Sequence, residues 1–329
     1  MDEKTGRALV RETGLMLLET GLVARTWGNV SCRLDDTRYL ISPSGLAYTR
    51  TTEADIALCA TDSDTWSGPR KPSSERGIHA ASYRQFPEVG FVIHTHQTYA
   101  SALGLAGSDA LALTPEERAA LGGVAAAAYG LPGTKKLHRA VAAALETGAH
   151  TVLMAHHGAL ICGTDRDDAL ARAQLLEQVC RRSWRGVCGA EAAPAAERDA
   201  LLSAIRGTRP LARMVCTDEL LELAARGRAV PAQLDDMAQM IGARLTVVPR
   251  EAAAVTAALA RRGAVLVPGV GAVVCGGDED DSEALGVLAQ KAAVSALHTA
   301  ALGVPARLST VDTALMRWVY THKYARKKG

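Results

Sequence analysis

Two imidazoles two residues apart, His94 and His96, close the apolar run at residues 89–96. An extended strand sends residues i and i+2 to one face, so both rings project together, and a sheet can thereby offer two nitrogen ligands to one ion. H-x-H alone also occurs where histidine is purely structural. It gains weight from His156-His157-Gly158, which follows a second apolar run at residues 151–155. A third imidazole from a neighbouring strand completes a three-histidine site that leaves a position open for substrate. Only one of His156 and His157 can face such an ion if the segment is extended, and Gly158 lets the backbone turn close to it.

Three further segments carry small polar groups. Glu75 follows Lys71-Pro72-Ser73-Ser74. Read alone it is a carboxylate in the first turn of a helix capped by Ser74, where the helix dipole favours it. Gly28-Asn29-Val30-Ser31 and Ser42-Pro43-Ser44-Gly45 are short loops rich in backbone N–H groups, hydroxyls and amides. Such loops cradle phosphate, and they also serve as ordinary turns.

Taken in order, G-N-x-S, S-P-S-G, P-S-S-E, H-x-H and H-H-G resemble the class II aldolase/adducin family, above all its branch acting on L-fuculose 1-phosphate, over about residues 5–190. The resemblance implies a three-layer α/β/α sandwich around a largely antiparallel sheet. It implies zinc, or another divalent metal, on His94, His96 and His157. It implies Glu75 as acid/base, also within reach of the metal, and a phosphate site from Gly28, Asn29, Ser44, Gly45, Ser73 and Ser74. The implied reaction is reversible aldol cleavage of a ketose 1-phosphate to dihydroxyacetone phosphate and an aldehyde, the metal stabilising the enediolate. Alternatives are a pentulose-phosphate 4-epimerase using the same bond cleavage, and an adducin-like binding module without catalysis, whose usual mark is loss of the histidines. The family also implies a small sugar phosphate as partner and a homo-oligomer. The sequence departs from the pattern at residues 114–123, where the family branch carries a catalytic tyrosine. Here that stretch has only Glu116 and Glu117 as ionisable candidates besides Arg118, and Tyr320 and Tyr324 match a family tail tyrosine loosely.

The elements that position these groups follow from pattern and punctuation. Helical spacing covers residues 5–24, and strands are expected at 38–42, 56–60, 89–96, 151–155 and 158–162. Helices are expected from Ser74 to about Gln85, at 97–105, 115–128 and 134–146, and at 165–184. Residues 264–291 then match 151–178 without a gap, with eleven identities in 28 positions. Val152, Gly158, Cys162, Asp165 and Asp168 recur as Val265, Gly271, Cys275, Asp278 and Asp281, and residues 214–218 weakly echo 92–96. This reads as a degenerate copy of half a domain. The expected division is a catalytic domain at 1–200 and the half-copy at 205–329, extending the first sheet or standing in for a neighbouring subunit. The copy lacks the metal ligands: His156 and His157 become Gly269 and Val270, while His94 and His96 become Cys216 and Asp218.

Composition bounds the remaining possibilities. Hydrophobic residues make up 48% and charged residues 22%, enough to bury a full core. A net charge of +2 gives no reason to expect nucleic acid or a membrane surface as partner. The basic cluster Lys323, Arg326, Lys327 and Lys328 reads as a solvated tail. Seven cysteines without a C-x-x-C pair, and a charged N-terminus without an apolar h-region, lead to the expectation of free thiols in a cytoplasmic protein.

Overall fold

The structure, a computed structural model, describes residues 1–324, with side chains as far as His322. Arg326, Lys327, Lys328 and the side chains of Lys323 and Tyr324 lie outside it. The chain forms two compact units, the first ending at Ser183 and the second starting at Trp184.

The first unit opens with helix α1 (Glu3–Glu19), whose N-cap Asp2 accepts a hydrogen bond from Thr5 N–H. Strands β1 (Asn29–Arg33), β2 (Arg38–Ile41), β3 (Ala57–Ala60) and β4 (Trp66–Ser67) follow, then helix α2 (Arg76–Gln85) and strand β5 (Phe91–Thr95). After them come α3 (Thr98–Leu103), α4 (Pro115–Ala120), β6 (Val124–Ala127), α5 (Lys135–Leu145), β7 (Thr151–Met154), β8 (Gly158–Gly163) and α6 (Arg166–Ser183). The eight strands make one sheet in the order β4-β3-β2-β1-β5-β8-β7-β6. Every pairing is antiparallel except β6 with β7. Strand alternation divides the side chains between two cores. Tyr39, Ile41, Val92, Leu160 and Cys162 pack with Ile78, Tyr83, Leu137 and Val141 of α2 and α5. Helices α1, α3 and α6 cover the opposite face. This is the expected sandwich of three layers.

Three local expectations change. The alanine-rich stretch 115–128 is not one helix: α4 stops at Ala120, Gly122 and Gly123 follow with φ +65° and +78°, and β6 begins at Val124. Consecutive left-handed residues cannot continue a right-handed helix, and the open edge of β7 recruits the alanines as a strand. The second correction concerns α2, which begins at Arg76 with Glu75 as its N-cap residue, and Ser74 does not cap it. Third, the C-terminal strands do not extend the first sheet but form their own.

That second unit contains α7 (Ala195–Arg206), β9 (Arg213–Val215), α8 (Asp218–Ala225), β10 (Val230–Pro231), α9 (Asp235–Met240) and β11 (Arg244–Val247). It continues with α10 (Ala252–Leu259), β12 (Ala264–Val267), β13 (Gly271–Val274), α11 (Glu279–Leu302) and α12 (Thr310–Val319). The strand order is β10-β11-β12-β13-β9. Strand β11 runs parallel to β12, while β12–β13 and β13–β9 are antiparallel, the same senses as β6–β7, β7–β8 and β8–β5. Its core gathers Ile205, Val255, Val265, Val267 and Val273. Helix α11 is long and apolar enough to cross a membrane by length and composition, yet most of it is buried in the protein interior. All seven cysteines are free, four of them buried, with Cys216 exposed.

Candidate metal centre

The sequence motifs meet at one end of the central strands. Strand β1 starts there at Asn29, β2 ends there, β5 ends there at Thr95, β8 starts there at Gly158, and α2 begins there. Register places Asn29 beside His94. The S-P-S-G and P-S-S-E loops are held side by side by a Pro43–Pro72 bridge, by Ser44 N–H donating to Lys71 O at 2.9 Å, and by Ser73 N–H donating to Ser42 O at 3.1 Å. Ser42 in turn ties to Val30 of β1, accepting from Val30 N–H on its hydroxyl and donating its own N–H to Val30 O. Gly28 has φ +76°, and a Cβ there would lie 2.5 Å from the His94 carbonyl oxygen, so this position admits only glycine without displacing the metal-site strand.

His94, His96 and His157 come together as the spacing predicts, their ligand nitrogens all within 4.8 Å of one another. His94 and His157 stack with ring centroids 5.0 Å apart and planes 2° from parallel, and His96 meets both edge-on at 4.8 and 4.7 Å. Of the His156-His157 pair, His157 faces the cluster and is buried, while His156 takes a left-handed φ of +65° and sets its ring against Tyr129. A backbone conformation rare for a non-glycine residue is found where a turn must aim its neighbour. Gly158 is needed for the close approach of β8, because a Cβ would fall 2.1 Å from Thr95 O and 3.3 Å from the His94 ring. In the second unit the turn between β12 and β13 likewise holds a positive φ, +75° at Gly269.

The electrostatics call for a cation. The Nδ1 atom of His94 lies 2.9 Å from Ala159 O, a carbonyl that can only accept, so the proton sits on Nδ1 and Nε2 presents a lone pair. That bare Nε2 stands 3.0 Å from His96 Nε2 and 3.2 Å from Glu75 Oε2. Glu75 Oε1 is 2.8 Å from His157 Nε2. Lone pairs and a carboxylate converging in a buried pocket repel unless a proton or a metal ion lies among them. Burial alone would raise the Glu75 carboxyl, but positive charge at His94 and His157, brought by a proton or a shared ion, overrides it and holds the group well below its ordinary value. The three imidazoles and the adjacent carboxylate therefore suit a divalent ion, with nitrogen donors that favour zinc among the common biological cations.

Glu75 does not cap α2: no hydrogen bond runs from its side chain to the helix. Its backbone N–H donates instead to Ser73 Oγ at 3.2 Å, and its carboxylate accepts from Asn29 Nδ2 at 3.0 Å. The other end of the Asn29 amide, Oδ1, lies 2.5 Å from His79 Nε2. His79 Nδ1 is 2.6 Å from Ser31 Oγ, which is 2.7 Å from Tyr83 Oη. Sequence reading missed His79 and Tyr83 as site residues and took Ser31 only as a loop donor. The signal was present: Glu75, His79 and Tyr83 follow one another at intervals of four, one face of a helix, and Asn29 and Ser31 at an interval of two, one face of a strand. Of the two carboxylates at residues 114–123, Glu117 is engaged in local structure, accepting from the N–H of the α4 N-cap Thr114 and pairing with Arg182 at 2.7 Å.

Comparison with known proteins agrees with this geometry. The family model described as the class II aldolase and adducin N-terminal domain matches residues 8–184, more than half of the chain. A 5-methylthioribulose-1-phosphate/5-deoxyribulose-1-phosphate aldolase of Rhodospirillum rubrum is 35% identical over 185 residues, 55% of this chain and 82% of that protein. An L-ribulose-5-phosphate 4-epimerase of Salmonella paratyphi B is 32% identical over 193 residues, 54% of this chain and 84% of its own. Among solved structures, an L-fuculose 1-phosphate aldolase superposes with TM-score 0.50 at 29% identity, covering 54% of this chain and 84% of its own. With a largely antiparallel sheet in three layers, a triad of histidines at the strand ends and a family match over residues 8–184, the chain belongs to the class II aldolase and adducin family.

Proposed function

We propose that the first unit is a metal-dependent lyase that cleaves a ketose 1-phosphate reversibly to dihydroxyacetone phosphate and an aldehyde. The observation that carries this reading is the convergence of buried His94 and His157 and half-buried His96 with a buried carboxylate that no cap or counter-arginine claims. His94, His96 and His157 would hold the ion. Bound there, a divalent cation supplies Lewis-acid stabilisation of negative charge developing on substrate oxygens. Glu75 stays ionised beside it and takes or returns the proton on the dihydroxyacetone phosphate carbon. Ser44, Gly45, Ser73, Ser74 and Gly28 lie around the same strand ends, and we assign them to the phosphate, Ser44 and Ser73 through their hydroxyls because their N–H groups are spent on Lys71 O and Ser42 O. We assign the Asn29 amide to Glu75, because both its ends are spent on Glu75 and His79. The second unit we read as a degenerate half-copy without a metal centre: its strand senses match those of β6-β7-β8-β5, and Cys216, Asp218, Gly269 and Val270 stand where the histidines would be.

The relative named as a 4-epimerase supports a second reading, in which the same bond breaks and reforms without release of the fragments. Incubating zinc-loaded protein with ketose 1-phosphates and with pentulose 5-phosphates separates the two. Free dihydroxyacetone phosphate from the former is the expected result. Interconversion of pentulose phosphates with no triose released would replace the lyase by the epimerase.

A further inference from the structure

Four buried side chains behind Glu75 form a line of hydrogen bonds whose direction is fixed at one end. The Glu75 carboxylate only accepts, so Asn29 must turn its Nδ2 toward it and its Oδ1 toward His79. His79 must then carry its proton on Nε2, leaving Nδ1 as acceptor for the Ser31 hydroxyl, and Ser31 must accept from Tyr83. Asn29, Ser31, His79 and Tyr83 are each at most 4% exposed, so water does not compete with these bonds. Burial lowers His79 to about 3 and raises Tyr83 well above its ordinary range, which keeps both neutral and suited to this pattern. Each bond polarises the next in the same sense in a low-dielectric interior.

We propose that His79 is a positioning residue for Glu75, the central link of a one-way donor chain Tyr83–Ser31–His79–Asn29 that locks the orientation of the Glu75 carboxylate. The proposal rests on the reading of Glu75 as the acid/base. Nothing in the chain touches substrate. Its work is to hold Glu75 Oε2 in one rotamer so that the carboxylate meets the substrate carbon in a single geometry.

Two measurements on the full-length chain test it. In protein labelled with 15N-histidine, long-range proton–nitrogen correlation at neutral pH should show His79 as the Nε2–H tautomer. An Nδ1–H ring would reverse the chain and overturn the proposal. In steady-state cleavage by zinc-loaded protein, His79→Leu should lower kcat about 10–100-fold, the usual scale for losing an outer-shell partner, with KM and zinc content unchanged. His79→Gln, whose amide nitrogen can replace the Nε2 donor, should recover most of that loss, and Tyr83→Phe should give a smaller deficit in kcat alone. Equal losses in the Leu and Gln variants, or zinc content falling in step with kcat, would mean that His79 only fills space and would overturn the proposal. If the wild-type chain cleaves no ketose 1-phosphate, the functional reading fails by itself, and the tautomer decides the chain of hydrogen bonds.

Discussion

Gly28→Ala should damage the metal centre without touching a ligand. The added methyl would stand 2.5 Å from the His94 carbonyl oxygen, about 0.9 Å short of the 3.4 Å where ordinary contact begins. That oxygen belongs to the residue paired with Asn29 across β1 and β5, so the strand carrying His94 must shift. The φ of +76° adds a cost of about 1–2 kcal/mol for a side chain in the left-handed region. Gly21→Ala is the control: its φ is +70° and nothing lies within 4 Å of the added Cβ, so it pays only the backbone cost. For a unit of this size about 1 kcal/mol lowers Tm by roughly 2–4 °C, and both variants should show it. Only Gly28→Ala should also weaken zinc binding, by about 10–100-fold, since misplacement approaching 1 Å costs on that order. In free energy this is about 1.4–2.7 kcal/mol. Competition with a chelating dye, alongside thermal melting of the metal-free forms, measures both terms. Equal zinc affinity in the two variants would refute the reasoning, because the strand would then have absorbed the methyl without moving His94.

Three other outcomes are expected. Glu75→Gln keeps the size of the side chain but removes the base, so kcat should fall about 10²–10⁴-fold while metal analysis still finds zinc. His79 has a folded pKa of about 3, below its unfolded value of about 6.5. The unfolded chain therefore binds the extra proton first, and its stability penalty is absent above pH 6.5 and grows by about 1.4 kcal/mol per unit as pH falls toward 3. His79→Gln should consequently lose less stability than wild type between pH 6.5 and pH 4 in denaturant titrations. In the second unit Lys291 Nζ and Asp236 Oδ2 lie 2.5 Å apart, each 1% exposed. Asp236→Ala strands a buried ammonium and should cost about 3–5 kcal/mol, read as a shift in the urea midpoint, with zinc binding by the first unit unchanged.

The histidine cluster was legible because its members obey short-range geometry. The i, i+2 rule of a strand brought His94 and His96 together, and a turn glycine marked His157. The supporting residues obeyed equally simple rules across two elements. Glu75, His79 and Tyr83 recur every four residues, but the interval acquires meaning only once α2 is known to lie on β1, and pairing between distant segments is not written in either one. The mistaken helix at 115–128 has another cause. Alanine favours helix without excluding strand, so Gly122-Gly123 was the sole punctuation, and the free edge of β7, not local propensity, decided the fate of Val124–Ala127. Read alone, Glu75 looked like a cap, since carboxylates at helix starts are commonplace, and only the family resemblance gave it a catalytic role. Its real partners lie 19 and 82 residues downstream, at His94 and His157.

The central claim is that His94, His96 and His157 share one ion. Zinc K-edge absorption on stoichiometrically loaded protein addresses it directly. Three imidazole nitrogens at about 2.0–2.1 Å are predicted in wild type, and His157→Ala should reduce the nitrogen count or abolish loading. A sulfur shell from the free cysteines, or a spectrum unchanged by His157→Ala, would contradict the account.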